Sequence, residues 1–453
     1  MNVRAFADQI CQTLRSKGFQ AFLVGGCVRD IILGREPADY DVTTDALPGQ
    51  VEEIFPGSLT VGAKFGVVIV PQETPGAADA DRLQVEVATF RSDVGYSDGR
   101  HPDRVDYTSS PKDDVKRRDF TINALLLDPE TNEILDFVGG REDLKAGIIR
   151  AIGNPEARFR EDKLRMVRAV RFAARFGYTI EPSTLRAIQH LAPEIGQISK
   201  ERLRDELTKI LTEGTARRGF ELLDQTGLLV YLLPEIAKMK GVEQPPQFHP
   251  EGDVWIHTLI MIGGLPADSS PTLAWGVLLH DVGKPPTFTP PAGPDGRIRF
   301  DRHVEVGVKM AGEICRRFRF SNEDTEQILA LVANHMKFKD VPRMKPATLK
   351  RFVRMEKFAE HLELHRLDSL SSHGKLDSYD LVDRFIAETP PEQVRPTRLL
   401  TGDDLIALGL KPGPRFKAIL YNVEEAQLDG TIHTHEEALR LAKTLAVDPA
   451  LET

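Results

Sequence analysis

The secondary-structure patterns divide this sequence into two parts of different character. In the first third, short apolar runs such as AFLVGG (21–26) and FGVVIVP (65–71) alternate with helical patterns. Between Glu161 and Ala387 we find no confident strand, and helical periodicity dominates, as in EDKLRMVRAVRFAARF and EDTEQILALVANHMKF. The sequence therefore predicts an α+β protein, in which an N-terminal head with a mixed sheet and helices precedes an all-α remainder.

Polar, turn-rich segments separate the predicted strands of the head. FGVVIVP and LQVEVATFR (83–91) are expected to pair as a hairpin. FTINALLLDP (120–129) and EILDFVGG (133–140) are expected to form a closing strand pair. The stretch 91–114 is polar and rich in turn residues, so it predicts a mobile loop of functional length.

The length of 453 residues predicts two to four domains, because single cores rarely grow past about 250–300 residues. The pattern changes after Gly153, and proline-rich segments follow at 241–250 and 388–397. We therefore expect four parts: a head (1–150), a helical neck and body (151–245), a second helical domain (246–387) and a helical tail (388–453).

The composition excludes several classes of protein. No run approaches the roughly 20 apolar residues of a membrane span, and the first residues predict an amphipathic helix rather than a secretory signal. The three cysteines are far apart, which argues against a disulfide framework or a thiolate zinc site. We expect a cytoplasmic protein. A net charge of −9 argues against indiscriminate nucleic-acid binding, but Arg150 to Arg175 hold eight basic and three acidic residues, a stripe that can guide a polyanion.

The stretch DYDVT carries two carboxylates, Asp39 and Asp41, one residue apart. On a strand they share one face while Tyr40 points to the other, and Mg²⁺ prefers such hard oxygen ligands together with substrate phosphates. The alternative is an acidic strand edge. Upstream, VGG before a helix predicts an anion site, with Arg29 one turn into that helix. Together these features suit a nucleoside triphosphate with Mg²⁺.

Four segments in the same order carry a resemblance to a known family. LVGGCVRDIILGREPADYDVTT (23–44) resembles the signature of the class II tRNA nucleotidyltransferase and bacterial poly(A) polymerase family, within the polymerase-β superfamily. DVKRRDFTINALLLDP (114–129), DFVGGREDLKAGIIR (136–150) and RFREDKLRMVRAVRFAARFGY (158–178) are similar to its RRD, hinge and EDxxR motifs. The resemblance covers about residues 20–235 and implies a polymerase-β-like head.

The resemblance implies roles for the residues of the first motif. Asp39 and Asp41 would hold two Mg²⁺ ions that activate an RNA 3′-hydroxyl and stabilise the pyrophosphate leaving group. Gly25, Gly26 and Arg29 would bind the triphosphate.

A third carboxylate often joins this clamp in the superfamily, and Glu86 in VEVATF is the candidate; the alternative is a solvated strand residue. Arg118 and Asp119 would fix the ribose and phosphates, and the alternative for them is a salt-bridged loop.

The EDKLR segment is expected to lie on a helix, with Asp162 and Arg165 three residues apart and neighbours on its surface. The family role is a protein template: a carboxylate accepts from an exocyclic amine and a guanidinium donates to ring acceptors, so C and A fit while U and G do not. The alternative is a helix-stabilising ion pair. Arg168 and Arg171 continue at i+3 spacing and are expected to hold phosphate.

A second constellation lies in the helical region and resembles the HD superfamily of metal-dependent phosphohydrolases. The resemblance implies a metal site built from the set His257, His280, Asp281 and Asp368. His303 and His335 would extend it to a second metal or contact phosphate. We expect a divalent transition metal such as Ni²⁺ or Mn²⁺ there, and the alternative is a degenerate domain kept for its shape.

The leading functional expectation is template-independent addition of C, C and A to the 3′ end of tRNA from CTP and ATP, with a second activity on phosphomonoesters or 2′,3′-cyclic phosphates. Alternatives are an A-adding or CC-adding enzyme, a poly(A) polymerase, an HD phosphohydrolase with an inactive RNA-binding head, or a structural RNA-binding protein. The acceptor and TΨC arms of tRNA are the expected contacts. The basic stripe and LGLKPGPRFK (408–417) are the surfaces expected to meet them. The oligomeric state is not predicted.

Overall fold

The computed structural model describes residues 2–61, 66–72, 83–95, 104–247, 249–291 and 296–448. It divides into two compact units, Met1–Ala237 with Pro266–Asp268, and Lys238–Leu265 with Ser269–Thr453. The division falls just before the proline-rich segment predicted as a boundary, while the four-part division remains a prediction. Within the described ranges, no helix has the length and apolarity needed to cross a membrane.

The first unit contains a strand-rich part followed by a helical part. Its strands are β1 (Ala21–Val24), β2 (Asp41–Thr44), β3 (Leu59–Val61), β4 (Val67–Pro71), β5 (Gln84–Thr89), β6 (Arg91–Val94), β7 (Arg104–Tyr107), β8 (Leu126–Leu127), β9 (Ile134–Leu135), β10 (Ile148–Ile149) and β11 (Thr179–Ile180). Its helices are α1 (Val3–Ser16), α2 (Gly26–Ile32), α3 (Pro48–Ile54), α4 (Pro111–Lys116), α5 (Gly140–Ala146), α6 (Pro155–Glu161), α7 (Leu164–Phe176), α8 (Pro182–Leu191), α9 (Lys200–Thr212), α10 (Ala216–Gln225), α11 (Leu229–Leu232) and α12 (Pro234–Ala237). Thr121–Asn123 and Ala192–Gln197 form 3₁₀ turns.

The main sheet is mixed and has the strand order β3-β4-β5-β2-β1-β8-β9. The β2–β5 pair is parallel, and the other neighbouring pairs are antiparallel. The strand β1, next to the central β2, is buried along its whole length, and α1 packs on it with Phe6, Ile10 and Leu14 turned inward. The predicted hairpin β4–β5, the closing pair β8–β9 and the α+β class are all confirmed.

The stretch 91–114 differs from its prediction as a loop. Residues 91–94 and 104–107 form the antiparallel pair β6–β7, and α4 follows with Ser110 capping its first turn. The part 96–103 lies outside the described residues. A polar sequence hid these strands because their pairing rests on main-chain hydrogen bonds, which periodicity does not report.

The EDKLR segment is not one continuous helix, so that prediction was wrong. α6 ends at Glu161, Asp162 has an extended backbone (φ −148°, ψ 104°), and α7 begins at Leu164. Asp162 Oδ1 accepts a hydrogen bond from the Leu164 N–H at 3.1 Å, which satisfies one of the free donors at the start of α7. The segment is therefore a corner between two helices.

Where the structure describes it, the second unit is helical apart from one short antiparallel pair. Its helices are α13 (Val254–Gly263), α14 (Pro271–Leu279), α15 (Lys284–Thr287), α16 (His303–Arg317), α17 (Asn322–Asn334), α18 (Pro346–Val353), α19 (Phe358–Ser371), α20 (Asp377–Glu388), α21 (Pro391–Val394), α22 (Gly402–Ala407), α23 (Pro414–Leu428) and α24 (His435–Ala446), and His335–Arg343 is a 3₁₀ helix. The strands β12 (Phe288–Thr289) and β13 (Arg299–Phe300) correct the expectation of no strand before Ala387, as does β11 in the first unit. Each is only two residues long, which is too short for a period-2 pattern to appear.

Candidate functional site

Three carboxylates converge at the edge where β2 begins. Asp41 opens β2 and lies directly opposite Glu86 of β5 in the parallel register. Asp39 is exposed just before the strand, whereas Tyr40 is buried on the opposite side. Burial, followed by the neighbouring Glu86 carboxylate, raises the pKa of Asp41 to about 6, and Arg118 acts against this rise. A cation at this edge would relieve the repulsion among these carboxylates, so the donor set fits a divalent metal.

The glycine pair before α2 leaves room for basic side chains. Gly25 has φ +81°, and a Cβ there would lie 3.4 Å from Nη1 of Arg118. Arg29 is buried, donates from Nη1 to Oδ1 of Asn123 at 2.6 Å, and stacks over the ring of Phe176 at 4.6 Å. Arg29 is therefore held in one orientation at the wall of a cleft.

The RRD segment is fixed by ion pairs on both sides. Asp114 accepts from Arg117 at 2.9 Å and from Arg118 at 3.2 Å. Asp119 Oδ2 accepts from Nε and Nη2 of Arg168 at 3.0 and 2.8 Å. Burial alone would raise the pKa of Asp119, but Arg168 holds it below its usual value, so Asp119 is an anion that ties this loop to α7. Arg118 and Asp119 thus form salt bridges as well as lining the cleft.

Asp162 and Arg165 have other partners than each other. Arg202 of α9 donates to both oxygens of Asp162, at 2.7 and 3.2 Å. Arg165 donates to Glu161 at 2.8 Å and to the carbonyl of Arg117 at 3.1 Å. Both side chains nevertheless line the same cleft.

The helix α7 presents arginines stacked on Phe172. The guanidinium of Arg168 lies 5.3 Å and that of Arg171 4.4 Å from the centre of this ring. Arg171 is buried and pairs with Glu206 at 2.7 Å and Glu213 at 3.2 Å, so its charge is already balanced within the protein. The i+3 spacing predicted that Arg168 and Arg171 would both hold phosphate, but both guanidinium groups are already paired with carboxylates of the protein.

One open cleft of about 530 Å³ in the first unit brings together most of the predicted residues: Gly25, Gly26, Arg29, Asp41, Arg118, Asp119, Asp162, Arg165, Arg168 and Arg171. Asp39 and Glu86 are not part of its lining. The sequence reasoning missed several of its residues: Arg117, Asn123, Phe172, Arg175 and Arg202. Arg117 and Asn123 lie in the RRD segment, so the motif itself could have indicated them. Arg202 could not be found from a motif, because it lies on another helix, 40 residues after the aspartate it contacts.

The second unit gathers the histidine and aspartate set around one carboxylate. Asp281 Oδ2 lies 3.0 Å from Nε2 of His280 and 3.9 Å from Nε2 of His257, while its Oδ1 lies 3.8 Å from Nε2 of both His303 and His335. Asp368 Oδ1 is 3.3 Å from Nε2 of His257. Among the described residues, three groups have the spacing of metal ligands: His257, His280 and Asp368; Asp281, His303 and His335; and, behind His257, His249 with Glu251 and His257.

The tautomers of these histidines favour metal binding. Nδ1 of His280, His303 and His335 lies 2.8, 2.9 and 2.7 Å from a main-chain carbonyl, which can only accept, so each Nδ1 carries the proton. Their Nε2 atoms, like that of His257, are buried and make no well-oriented hydrogen bond, although carboxylate oxygens of Asp281 or Asp368 lie 3.0 to 3.9 Å away. Such imidazole nitrogens facing a buried carboxylate fit a divalent metal.

Electrostatics separate His335 from His257. Burial lowers the pKa of His335 to about 4, with His280 acting in the same direction, so its ring is neutral at pH 7. Burial would also lower the pKa of His257, but the neighbouring carboxylates of Asp368 and Glu251 raise it to about 9. A metal at this position would therefore displace a proton from His257.

The cluster opens into a cleft of about 510 Å³. Lys284 in this cleft contacts Asp281 at 2.7 Å and donates to Gln244 at 2.6 Å. Nδ1 of His257 lies 2.7 Å from Glu251, which orients the ring from behind. The sequence analysis did not identify Lys284, Gln244 and Glu251, although Lys284 follows His280 and Asp281 closely in the segment LLHDVGK (278–284).

Gly283, two residues after Asp281, allows α16 to approach the cluster. A Cβ at this position would overlap the carbonyl oxygen of His303 and lie 2.6 Å from the backbone nitrogen of Gly307. We expect Gly283→Ala to lower the free energy of unfolding by about 1–3 kcal/mol and to displace His303. The measurement is urea unfolding together with metal titration.

Gly312→Ala is the matched control, because a Cβ there meets only Leu329 at an ordinary 3.8 Å. This variant should unfold at or above the wild-type midpoint, because Ala is favoured over Gly inside a helix such as α16, and should keep the wild-type metal affinity. Equal stability and affinity in both variants would contradict the packing role of Gly283.

Three family models match this chain. Residues 21–150 match the poly A polymerase head domain, residues 177–240 the probable RNA- and SrmB-binding site of polymerase A, and residues 257–372 the HD domain.

Known proteins resemble the chain in sequence and in structure. It is 45% identical over 223 residues to a CCA-adding enzyme of Geobacillus stearothermophilus and 41% identical over 225 residues to one of Limosilactobacillus reuteri. These alignments cover 49% and 50% of this chain and 53% and 54% of those proteins, so the chain spans about half the length of the curated relatives it matches.

The fold is similar to solved structures over nearly the whole chain. The CCA-adding enzyme of Bacillus stearothermophilus in complex with CTP has a TM-score of 0.73, 27% identity and coverage of 98% of both chains. The Thermotoga maritima CCA-adding enzyme, complexed with tRNA, has a TM-score of 0.56 at 20% identity over 97% of this chain and 94% of that chain, a likeness of fold.

Proposed function

We propose that this chain, which belongs to the tRNA nucleotidyltransferase and poly(A) polymerase family, adds C, C and A to the 3′ end of tRNA from CTP and ATP. The observation that carries the proposal is the register that sets Asp41 opposite Glu86 at the edge of an arginine-lined cleft. Its relatives are named for CCA addition, and a similar enzyme was solved with CTP.

The carboxylates and arginines divide the work of nucleotide transfer. Asp39, Asp41 and Glu86 would hold Mg²⁺, which when bound activates the RNA 3′-hydroxyl and offsets the charge of the departing pyrophosphate. Arg29 and Arg118 face the cleft next to these acids and would bind the triphosphate. Gly25 and Gly26 keep the approach open to it, because neither carries a side chain.

Recognition of the base is assigned to Asp162 and Arg165. Both line the cleft from the corner between α6 and α7, so a carboxylate and a guanidinium are available to a base edge. Arg202 holds the Asp162 carboxylate in a two-pronged pair, which fixes its orientation in the cleft. The Asp119–Arg168 pair would support the bound nucleotide, and Arg171 joins α7 to α9 through Glu206.

The second unit is proposed to hydrolyse phosphomonoesters or 2′,3′-cyclic phosphates at the HD cluster. His257, His280, Asp281 and Asp368 would hold a transition metal such as Ni²⁺ or Mn²⁺, with His303 and His335 as ligands of a second ion. The bound metal supplies Lewis acidity at the phosphate ester. The four Nε2 atoms that make no well-oriented hydrogen bond support an intact centre over a degenerate one.

One assay tests the transferase proposal against its rivals. The protein is incubated with tRNA that ends before CCA, with CTP alone, with ATP alone and with both, and the product length is read on a sequencing gel. If the chain adds CCA, the tRNA gains two C residues with CTP alone and the complete CCA end with both nucleotides. A poly(A) polymerase would use ATP alone, a CC-adding enzyme would stop after CTP, an A-adding enzyme would extend only a second tRNA that already ends in CC, and an inactive head would extend neither tRNA. A cytoplasmic location stays a prediction.

Glu86 lies outside the DYDVT motif that carries the other two carboxylates, but the strand register sets it directly beside Asp41. We expect Glu86→Gln to lower the rate of nucleotide addition by about 10²-fold with a smaller change in KM, because the lost charge matters most in the transition state. Single-turnover addition at saturating nucleotide measures the effect. The control adds Gln84→Glu to the Glu86→Gln variant, which returns a carboxylate to the same face of β5 two residues away. Recovery of the rate in this double variant would contradict the positional role of Glu86.

A further inference from the structure

A strongly basic stretch lies next to the HD cluster and takes no part in the activities above. Residues 337–354 contain seven basic residues and one acidic residue, in a chain whose net charge is −9. Three of the cations are used to attach α23: Lys350 donates to the carbonyl of Leu428, and Arg351 and Arg354 pair with Glu425 and Glu424. The other four are Lys337, Lys339, Arg343 and Lys345, and their side chains are exposed.

Within the described ranges, none of these four side chains has an ion-pair partner within 4 Å. Exposed cations without partners attract anions more strongly than paired ones, because no local carboxylate competes. Asp340 is the one acid interleaved with them, and the Glu425 carboxylate that borders the same region is engaged by Arg351. The patch formed by Lys337, Lys339, Arg343 and Lys345 is referred to below as the cation track.

The 3₁₀ helix His335–Arg343 distributes the cation track over two clefts. Side chains three residues apart eclipse one another in a 3₁₀ helix. Met336 and Lys339 accordingly line the cleft of the HD cluster, and Lys337 and Arg343 line a neighbouring groove. A helix of this length covers about 18 Å, or about five stacked nucleotides.

The neighbouring groove suits unpaired nucleotides. It has a volume of about 640 Å³ and an apolar floor that includes Met344, Phe352 and Met355. At its edge the guanidinium of Arg351 lies 4.1 Å from the ring centre of Tyr421, whose surface is 52% exposed. Cations that follow a backbone beside an exposed aromatic ring are the composition of a single-strand binding site.

We propose that the HD cluster acts on the 3′ end of an RNA strand, and that the cation track binds the phosphates of the nucleotides preceding that end. The inference rests on the proposed hydrolase function and names its substrate class, a polymer rather than a free nucleotide. Lys339 meets the phosphate nearest the cluster, and Lys337, Arg343 and Lys345 hold the strand in the groove. The terminal phosphate then lies at His280 and Asp281.

The test is a triple charge reversal away from the metal ligands, Lys337→Glu with Arg343→Glu and Lys345→Glu, in the full chain. The two substrates are 2′,3′-cAMP and a twelve-nucleotide RNA that ends in a 2′,3′-cyclic phosphate, both with Mn²⁺. We expect kcat/KM on the RNA to fall at least about 10-fold at low salt, with turnover of 2′,3′-cAMP within about twofold of wild type. The slope of log KM against log salt should flatten by about 2, since each lost contact with a single strand removes about 0.7.

A second triple reversal provides the control, with Lys309→Glu, Arg316→Glu and Lys443→Glu, which changes the net charge equally at exposed sites elsewhere in the unit. This variant should keep at least a third of the wild-type kcat/KM on the RNA. Equal losses in the two variants, or equal losses on both substrates, would overturn the inference.

If the hydrolase proposal itself is wrong, the result differs, because the wild type will then turn over neither substrate. Binding of a 3′-phosphorylated RNA of the same sequence, followed by fluorescence anisotropy, then decides the inference alone. Weaker binding and a flatter salt slope in the track variant, but not in the control, would support the track. Identical binding curves would end it.

Discussion

Replacing Asp41 by asparagine is expected to reduce C and A addition to tRNA at least about 1000-fold, because the substitution removes the buried carboxylate at the centre of the proposed Mg²⁺ clamp. Asparagine keeps the shape of the side chain but not its charge. The burial and the nearby Glu86 that raise the pKa of Asp41 mark a place where an added cation is most needed. The measurement is single-turnover extension of tRNA that ends before CCA.

Two controls make the result specific to this carboxylate. Glu53→Gln removes an exposed acid of α3 in the same unit and should leave extension within about twofold of wild type. Hydrolysis of 2′,3′-cAMP by Asp41→Asn should also be unchanged, since the HD cluster is in the other unit. Residual extension above a tenth of the wild-type rate would contradict a central role for Asp41.

Replacing Asp281 by asparagine is expected to abolish hydrolysis of 2′,3′-cAMP, by about 1000-fold or more, and to remove bound Mn²⁺ or Ni²⁺. Asp281 lies within 3.0 to 3.9 Å of the Nε2 atoms of His257, His280, His303 and His335, so no other residue of the cluster reaches as many ligands. Metal content after dialysis and initial hydrolysis rates measure the two effects.

CCA addition should continue in this variant within about twofold of wild type, which also reports that the chain is folded. His280→Ala is a second variant, for the case in which loss of the Asp281–Lys284 contact disturbs local packing. His433→Gln, an exposed histidine of the same unit, is the matched control. Retention of both metal and hydrolysis by Asp281→Asn and His280→Ala would contradict the metal centre.

Local sequence patterns predicted the strands and helices whose formation depends on residues close together in the chain. The apolar runs of β1, β4 and β5 are long enough for strand character to appear, and the period of α7 is clear in its buried face. The candidate metal ligands of the second unit could be recognised in the sequence because His280 and Asp281 are adjacent and directly follow the apolar helix α14.

Register and tertiary pairing could not be obtained in that way. Placing Glu86 beside Asp41 depends on a parallel pairing between strands separated by a hairpin, and a slip of one residue would turn Glu86 to the other face. The helix break at Asp162 likewise depends on Arg202, a partner from α9. Where the backbone leaves the helical region, the Asp162 carboxylate accepts from the guanidinium of Arg202 and from the Leu164 N–H at the start of α7.

Three histidines of the HD cluster take their orientation from the main chain, each through the carbonyl three residues before it: Val277, Phe300 and Val332. Main-chain oxygens are present whatever amino acid occupies the position, so genetic drift in the surrounding side chains leaves these rings correctly aimed. His257 is the exception, since it depends on the carboxylate of Glu251. A substitution of Glu251 should therefore disturb the orientation of His257 alone, while the other three rings keep theirs.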